Sequence, residues 1–435
     1  MKFSICNLGC KVNACEAENI SETMIKQGWT RVSFEEVSDV AIIFTCAVTN
    51  MAASKSRKMM HRVKRLNPST IVAMAGCYAQ LNDGLLDEAE IIVGTSLKHM
   101  IPTYIQEYLQ THEKIRLIDE MKQIAFESMP VDHFENHSRG VLKIQDGCNQ
   151  FCSYCIIPYV RGRERSLHPD QVIVEAKRIA QTHSEIVLTG IHTGRYGREY
   201  NVTLTELIER ILKEVPQLKR LRISSIESNE VTNELIALMQ KEPRIARHLH
   251  IPLQSGCNKT LAAMNRPYTT EKYYTKIEEI RNTLEDCAIS CDLIVGFPNE
   301  TDEDFLETYA FLKKCQFAFL HVFPYSLRDG TKASLMPCQV DPQVKKERAQ
   351  KCISLSNELQ LAYAQKQIGK TAYLITEKSE STYTPGYTSD YISVHLENEK
   401  FPRGTMLEIK LTEILNGQMY GKVERVIEDE AKSTI

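Results

Sequence analysis

A chain of 435 residues is long enough for two or three domains, each with its own hydrophobic core. Its 43% apolar and 25% charged residues are typical of a soluble globular protein, and no segment reaches the roughly 20 consecutive apolar residues of a membrane helix. The formal net charge of −3 excludes a uniformly basic surface, so any nucleic-acid binding must use local patches.

The first segment, residues 1–112, alternates short apolar runs with amphipathic stretches. Its predicted strands are residues 3–6, 40–45, 71–76 and 91–93, and its helix-like stretches are residues 16–27, 52–66 and 81–90. This alternation predicts a small parallel α/β domain. Residues 113–139 are polar with little periodicity, which indicates a linker.

The second segment, residues 140–366, repeats the alternation at greater length. Its predicted strands are residues 141–145, 185–189, 220–225, 248–253, 290–295 and 319–323, and helical stretches separate nearly all of them. Six βα units are too few for a complete eight-stranded barrel, so we expect a partial (β/α)6 barrel.

The third segment, residues 367–430, changes to short alternating runs. These runs are residues 372–376, 391–395, 406–411 and 419–426, and turn residues such as Pro385–Gly386, Pro402–Gly404 and Asn416–Gly417 separate them. The pattern predicts a small antiparallel, OB-like β-barrel.

The sequence contains fourteen cysteines and no recognisable secretory signal, because its N-terminus turns polar after one short apolar run. We therefore expect a cytoplasmic protein. In a reducing compartment disulfides are rare, which favours metal or catalytic roles for cysteine pairs and triads.

Three cysteines form a C-x-x-x-C-x-x-C array directly after a predicted strand: Cys148, Cys152 and Cys155. Thiolates suit iron–sulfur clusters, and three ligands on a four-iron cluster leave one iron open for the amino and carboxylate groups of S-adenosylmethionine (SAM). The alternative is a structural zinc site. Such sites normally have four protein ligands, and no fourth cysteine or histidine follows at short spacing.

Three other cysteines, Cys10, Cys46 and Cys77, each follow a predicted strand of the first segment. Loops at the carboxyl ends of parallel strands lie on one edge of the sheet, so these residues should converge. A glycine precedes Cys10 and Cys77 and would let the backbone approach a bulky inorganic group. The pattern favours a second three-cysteine cluster; the alternative is a set of unrelated buried thiols.

Together these motifs resemble the radical SAM methylthiotransferases along nearly the whole chain. The segments "GCKVN", "TCAVTN" and "GCYAQ" are similar to the family's N-terminal cluster domain, and "DGCNQFCSYCIIPYVRGRERS" resembles its radical motif. "HLHIPLQSG" and "MNRPYT" are similar to later barrel motifs, and the terminal barrel resembles the family's RNA-binding TRAM domain. Lys11 and Val12 in "GCKVN" resemble the threonylcarbamoyladenosine tRNA branch, because the isopentenyladenosine branch typically has Gln-Met there.

The resemblance implies a methylthio group inserted at C2 of N6-threonylcarbamoyladenosine at position 37, next to the tRNA anticodon. One SAM would supply the methyl group, and another would be cleaved at the Cys148–Cys152–Cys155 cluster to give a deoxyadenosyl radical. The Cys10–Cys46–Cys77 cluster would hold the sulfur to be inserted. The resemblance implies that this cluster and the Cys148–Cys152–Cys155 cluster are both 4Fe–4S clusters. The implied partners are the tRNA anticodon stem-loop and an electron donor such as flavodoxin or ferredoxin. Because the cofactors perform the difficult step, no protein side chain is predicted to be catalytic.

Polar residues at the carboxyl ends of barrel strands usually face the site. On this basis the predicted SAM contacts at strand ends are Thr189, Gly190, Ser225, Glu227 and Gln254, whereas Tyr154, just before the last cysteine of the radical motif, is predicted to pack against the bound adenine. The alternatives are core packing for Tyr154 and an ordinary strand end for Thr189. Asn299 replaces a glycine that the family usually has after Pro298, and we expect it to keep the left-handed turn because asparagine tolerates that conformation.

The strongest basic run is "SKSRKMMHRVKRLNP", on a predicted helix whose apolar face contains Met59, Val63 and Leu66. A charged run is usually a solvated face, but this one is almost purely basic on a net acidic chain, which favours contact with phosphate. The predicted RNA contacts are Lys55, Arg57, Lys58, Arg62 and Arg65 on that helix, with Arg161 and Arg163 after the cysteines of the radical motif. For Arg161, Arg163 and the neighbouring Arg165, the alternative is contact with the cofactor.

Two alternative functions stay open from the sequence. The same chemistry could act on isopentenyladenosine tRNA or on a ribosomal protein. A non-catalytic iron–sulfur RNA-binding protein would have the clusters and the basic patch but would not cleave SAM.

Overall fold

The computed structural model of the protein describes residues 1–81, 84–120, 124–134 and 137–427. The chain forms two compact units. The first comprises Met1–Asp132, Lys143–Leu167 and Ser326–Leu335, and the second comprises His133–Leu142, His168–Tyr325 and Met336–Ile435. Among the described helices, none combines the length and apolar character needed to cross a membrane.

A six-stranded parallel sheet forms the centre of the first unit. Its strands are β1 (Lys2–Asn7), β2 (Thr30–Arg31), β3 (Val40–Thr45), β4 (Ile71–Gly76), β5 (Ile91–Val93) and β6 (Ile115–Leu117). They lie in the order β2-β1-β3-β4-β5-β6. Helices α1 (Lys11–Lys26), α2 (Asn50–Leu66) and α3 (Ile101–Thr111) accompany the sheet. Every residue of β3 and β4 is buried, as expected of parallel strands covered on both faces.

The predicted parallel α/β fold of this segment is confirmed, with three differences in its elements. The helix predicted over residues 81–90 is wrong: the described residues there form only the end of a short 3-10 turn, Ala79–Leu81, followed by turns. Two strands, β2 and β6, are not predicted from the sequence, because with two and three residues they are too short for an alternating pattern to show. β6 extends the sheet into the stretch predicted to be a linker.

The next part of the chain forms the predicted partial barrel. Its strands are β7 (Gly140–Lys143), β8 (Gln145–Asp146), β9 (Arg165–Ser166), β10 (Glu185–Thr189), β11 (Arg220–Ile223), β12 (His248–His250), β13 (Ala288–Val295) and β14 (Phe319–Pro324). Its helices are α4 (Ile157–Arg161), α5 (Pro169–Ile179), α6 (Leu204–Glu214), α7 (Asn233–Lys241), α8 (Asn258–Ala263), α9 (Thr270–Thr283), α10 (Asp302–Cys315) and α11 (Pro342–Gln365).

Six of these strands, β7 and β10–β14, are the predicted ones and lie side by side in chain order. Single bridges at Leu221–Ile245 and Ser225–His250 join the two three-stranded sheets. The short pair β8–β9 lies outside this series. Asn299 has a φ of 64°, so the left-handed turn expected at this position is present.

The last part of the chain is a closed five-stranded barrel. Its strands are β15 (Thr371–Thr376), β16 (Tyr383–Thr388), β17 (Ser393–Glu397), β18 (Met406–Leu415) and β19 (Gln418–Val426). The pairs are antiparallel except β17 with β19, which is parallel. Pro385–Gly386, interpreted as a turn from the sequence, lies inside β16. There Gly386 leaves room for the Leu374 side chain, which a Cβ would approach to 2.4 Å.

Candidate functional site

Three neighbouring strands of the first sheet bring Cys10, Cys46 and Cys77 to the same edge. β1, β3 and β4 are adjacent and parallel, and each cysteine follows the carboxyl end of one of them. Cys10 caps the N-terminus of α1 in an extended conformation, and Cys46 and Cys77 directly follow β3 and β4. Cys10 is exposed, Cys46 is half-buried and Cys77 is buried. The set therefore runs from the surface into the interior.

The electrostatics of these thiols indicate that they lie close together. Burial raises the pKa of Cys46 to about 11; the Val48 N–H opposes this shift, while the charges of Cys77 and Cys10 add to it. Burial also raises the pKa of Cys77, against the opposing charge of Arg161. Thiols at such sites lose their protons when a metal binds, so three converging cysteines fit a cluster with one open iron.

A buried guanidinium supports this set. Arg161 ends α4 and is fully buried, and its Nε donates a hydrogen bond to the Sγ of Cys77 at 3.2 Å. Its Nη2 donates to Asn13 Oδ1 at 2.7 Å, and the Asn13 Nδ2 donates to the carbonyl oxygen of Thr45 at 3.4 Å. The Sγ of Cys10 lies 3.5 Å from the same Asn13 oxygen. Arg161 thus contacts Cys77, and Asn13 contacts both Cys10 and the residue before Cys46. Together the two side chains reach all three cysteine-bearing loops.

Asn13 also explains the glycines before two of the cysteines. A Cβ on Gly9 would lie 2.5 Å from the Asn13 side chain, and one on Gly76 would lie 3.0 Å from both Asn13 Nδ2 and the Thr45 oxygen. The sequence predicts that this space admits an inorganic group. In the described residues, the Asn13 side chain occupies it.

Behind Arg161 lies a network of buried charges. Arg161 Nη1 donates to both oxygens of Asp146, at 3.0 and 3.2 Å. Lys143 Nζ lies 2.9 Å from both Asp146 and Glu16, and Lys98 Nζ lies 2.8 Å from Glu16. Burial would raise the pKa of Glu16, but Lys143, Lys98 and Arg161 lower it to about 2. Arg165 Nη2 also lies 3.3 Å from Asp146, so four cations face two carboxylates and the network has an excess positive charge that suits thiolate ligands.

The second triad, Cys148, Cys152 and Cys155, lies on the loop between β8 and α4. Cys152 is buried and the other two are half-buried. The loop is fixed by hydrogen bonds from Cys148 N–H to Gly162 O at 3.1 Å and from Cys155 N–H to Cys152 O at 3.0 Å. Gly147 has a φ of 72°, and a Cβ there would come within 1.9 Å of the Arg163 oxygen. Three thiols on one well-fixed loop fit a three-ligand cluster.

In the described ranges, no group of three His, Cys, Asp or Glu side chains is arranged to hold a single metal ion. Ligands of a four-iron cluster bind different iron atoms, so they lie farther apart than the ligands of one ion.

In the second unit, the predicted strand-end residues occupy the expected positions. Thr189 ends β10 and is buried, Gly190 follows it, and Ser225 lies just beyond β11 and is exposed. Gln254 bridges to Leu293 of β13 with a φ of 67°. Tyr154 is half-buried on the cysteine loop of the first unit.

Glu227 belongs to a polar group whose other members are not among the predicted site residues. Arg266 donates to its carboxylate, and the Arg266 Nε donates to the Tyr268 hydroxyl at 3.0 Å. His192 Nε2 lies 2.9 Å from Glu230, whose charge also acts on Glu227. Burial raises the pKa of Glu227, although Arg266 opposes this shift. Arg266 lies in the "MNRPYT" motif, so the resemblance could have pointed to it as a site residue. No quoted motif points to His192 or Glu230.

The predicted RNA contacts have different environments. Lys55, Lys58, Arg65 and Arg163 are exposed, whereas Arg57 and Arg62 are half-buried. Arg57 donates to the Tyr78 hydroxyl at 2.6 Å, and Arg62 pairs with Glu35. The buried face of α2 is Ala53, Ser56, Met60 and Val63, and the half-buried Met59 packs against the same core, so the predicted apolar face is wrong only for the exposed Leu66.

Arg161 is the one predicted RNA contact that the structure contradicts. Its side chain has no exposed surface, and its guanidinium is used by Cys77, Asn13 and Asp146. A basic residue two positions from an exposed arginine gives no sequence sign of such burial.

Comparisons with known proteins give the following similarities. Residues 142–312 match the Radical SAM superfamily, and residues 2–94 match the uncharacterized protein family UPF0004. The chain is 39% identical to the threonylcarbamoyladenosine tRNA methylthiotransferase MtaB of Bacillus subtilis, over 97% of this chain and 96% of that one. It is 33% identical to the tRNA-2-methylthio-N(6)-dimethylallyladenosine synthase of a Thermoanaerobacter species, over 98% and 93%.

Among solved structures, the radical SAM methyltransferase TsrM from Kitasatospora setae is similar with a TM-score of 0.57. The two share 13% identity over 77% of each chain. At this identity the likeness concerns the fold alone.

Proposed function

The chain belongs to the radical SAM methylthiotransferase family, and from this premise we propose that it inserts a methylthio group at C2 of N6-threonylcarbamoyladenosine at position 37 of tRNA. The observation that carries the proposal is the full-length similarity to MtaB of Bacillus subtilis, at 39% identity over 97% of the chain. The MtaB of Aquifex aeolicus, at 35% identity over 89% of the chain, supports the same substrate.

The alternative substrate is isopentenyladenosine, which the name of the Thermoanaerobacter relative, at 33% identity, gives as N(6)-dimethylallyladenosine. Lys11 and Val12 favour threonylcarbamoyladenosine. Lys11 is exposed at the first position of α1, next to Cys10, whereas Val12 is buried. An ammonium group at this position could attract the carboxylate of a threonylcarbamoyl group, which isopentenyladenosine lacks.

Membership of the radical SAM superfamily implies SAM and one 4Fe–4S cluster as cofactors. Cys148, Cys152 and Cys155 would ligate that cluster, and Cys10, Cys46 and Cys77 would ligate a second one. When bound, these groups supply the radical that activates the aromatic C–H bond and the sulfur that replaces its hydrogen. The protein's own residues bind and orient them. We propose that SAM is held by Thr189, Gly190, Ser225, Glu227, Gln254 and Tyr154.

We assign the phosphate contacts of the tRNA to the exposed Lys55, Lys58, Arg65 and Arg163, with Arg57 and Arg62 beside them. The five-stranded barrel would be a second RNA-binding element, as TRAM domains are. An electron donor such as flavodoxin or ferredoxin is a further proposed partner, and the proposed location is the cytoplasm.

The substrate is tested by mass spectrometry of tRNA nucleosides from a strain that lacks the gene, with and without a plasmid copy. We expect methylthio-threonylcarbamoyladenosine to disappear and to return with the wild-type copy. An unchanged level in the deletion strain would refute the substrate. A Cys148→Ala copy should not restore the nucleoside.

The second cluster is tested by anaerobic reconstitution with iron and sulfide. We expect about eight irons per chain in the wild type and about four in a variant with Ala at Cys148, Cys152 and Cys155. A variant without iron would refute the second cluster. SAM cleavage by the reduced wild type separates the enzyme from a non-catalytic RNA-binding protein, which would leave SAM intact.

A further inference from the structure

Arg161 uses its guanidinium in an unusual way for a buried arginine. Its Nη1 pairs with Asp146, yet its Nε donates to a sulfur, the Sγ of Cys77 at 3.2 Å, and its Nη2 donates to Asn13. A buried arginine normally satisfies its donors with oxygen, so this orientation toward a thiol needs a reason. If Cys77 ligates a cluster, its sulfur carries negative charge and becomes a strong acceptor.

We infer that Arg161 is a positioning residue for the cluster proposed on Cys10, Cys46 and Cys77, where it fixes Cys77 and stabilises the reduced form. The inference rests on the proposed second cluster. Hydrogen bonds to cluster sulfurs and nearby positive charge stabilise the extra negative charge of a reduced cluster. Arg161 supplies both from a site that water does not reach.

The same side chain also connects the two cysteine triads. Asp146, which receives two hydrogen bonds from Arg161, accepts a third from the Gly147 N–H at 2.8 Å. Gly147 directly precedes Cys148. On the other side, Asn13 lies between Arg161 and the loops of Cys10 and Cys46. Within the first unit, one guanidinium therefore has contacts to the loops of both triads.

Lysine cannot replace this arrangement. An ammonium group keeps the positive charge, but it is a single point and cannot reach Cys77, Asp146 and Asn13 at once as the planar fork does. Arg161→Lys therefore separates hydrogen bonding from charge. Asp146→Asn changes the charge in the opposite direction, because it removes a carboxylate that offsets Arg161.

The test uses the full chain with Ala at Cys148, Cys152 and Cys155, so that a single cluster remains. Arg161→Lys, Asp146→Asn and Arg31→Lys are introduced into this parent and reconstituted anaerobically. Arg31→Lys is the matched control, because Arg31 lies in the same unit and its guanidinium pairs with Glu18 at 2.9 Å and with Ser21 instead of a cysteine. Iron content, circular dichroism and the midpoint potential from electron paramagnetic resonance are measured.

We expect the parent and Arg31→Lys to have the same midpoint potential. In Arg161→Lys the reduced form should be at least tenfold less favoured, which is about 59 mV to the negative side for one electron. Asp146→Asn should shift the potential to the positive side. Loss of iron from a folded Arg161→Lys variant would equally support the positioning role.

An Arg161→Lys variant with full iron content and the parent's potential would overturn the inference. If that variant does not fold, Asp146→Asn decides, and an unchanged or more negative potential overturns the inference. A parent without iron would refute the second cluster itself, and this inference with it, so the two failures are distinguishable.

Discussion

Glu16 and Lys98 form an ion pair of 2.8 Å in which neither side chain has exposed surface. Lys143 lies 2.9 Å from the same Glu16 oxygen. Removing the carboxylate would leave two buried ammonium groups without this partner, and breaking a buried pair costs about 3–5 kcal/mol. We therefore expect Glu16→Gln to lower the free energy of unfolding of the iron-free protein by about that amount, measured by urea denaturation.

The matched control is Asp132→Asn in the same unit. Asp132 pairs with Lys26 at 2.9 Å, but the two side chains are 46% and 67% exposed. Exposed pairs contribute about 0–1 kcal/mol, so the control should unfold almost as the wild type does. Equal losses in the two variants would contradict the prediction.

The same carboxylate predicts how stability depends on pH. Burial would raise the pKa of Glu16, but Lys143, Lys98 and Arg161 lower it from 4.5 to about 2. A carboxylate whose pKa is lower in the folded state than in the unfolded state stabilises the folded state at any pH above its unfolded-state pKa of 4.5. This stabilisation is lost as the pH falls from about 4.5 to about 2. We expect the iron-free wild type to lose stability across this window more steeply than Glu16→Gln. Parallel curves in urea denaturation would contradict this.

Glu185 connects two parts of the second unit through a pair of arginines. The Nε atoms of Arg220 and Arg222 lie 2.5 and 2.6 Å from its two oxygens. The remaining guanidinium donors bind main-chain oxygens of the terminal barrel: those of Tyr373 and Tyr387 for Arg220, and those of Thr388 and Ser389 for Arg222. Glu185 thus holds both arginines in the orientation that binds the barrel.

Glu185→Gln should loosen the terminal barrel. An unpaired buried charge costs about 3–5 kcal/mol, and about 1.4 kcal/mol is a factor of ten in an equilibrium constant. We expect limited proteolysis between residues 366 and 370 to accelerate by about tenfold or more. Glu199→Gln, at an exposed position, is the control and should be cleaved at the wild-type rate. Equal rates in all three proteins would contradict the prediction.

The sequence was sufficient for the longer strands of the parallel sheets, though not for β2 and β6, and for the placement of Cys10, Cys46 and Cys77 after strands. Runs such as Val40–Thr45 and Ile71–Gly76 are almost entirely apolar because both faces of these strands are buried, and Cys46 and Cys77 directly follow them. The support behind the cysteines could not be predicted. The fold brings together four residues that are distant in the sequence: Asn13, Cys77, Asp146 and Arg161. Nothing in the local sequence distinguishes the buried Arg161 from the exposed Arg163.

The exposed cations of α2 give a prediction for tRNA. Lys55, Lys58 and Arg65 are exposed, whereas Lys64 on the same helix pairs with Glu90 at 2.6 Å. We expect replacement of the three exposed residues by Ala to weaken anticodon stem-loop binding. A plot of the logarithm of the association constant against the logarithm of the salt concentration has a negative slope. This slope should become less steep by roughly 0.7–0.9 for each phosphate that the variant no longer binds. Lys64→Gln should change the slope little, and an unchanged slope in the triple variant would contradict the assignment.

Gly76 gives a prediction that separates backbone strain from the position of one side chain. Its φ is +104°, and a Cβ would lie 3.0 Å from both Asn13 Nδ2 and the Thr45 oxygen. Gly28 also has a positive φ, +85°, but a Cβ there would have no atom within 4 Å. Ala at either position costs about 1–3 kcal/mol of strain, but only at Gly76 must Asn13 also move.

Because Asn13 accepts a hydrogen bond from Arg161 and lies next to Cys10, we expect Gly76→Ala to lose iron from the Cys10–Cys46–Cys77 site and Gly28→Ala to keep it. Iron content in the triple-Ala parent measures this, and equal retention by both variants would show that the cysteines hold their positions without Asn13.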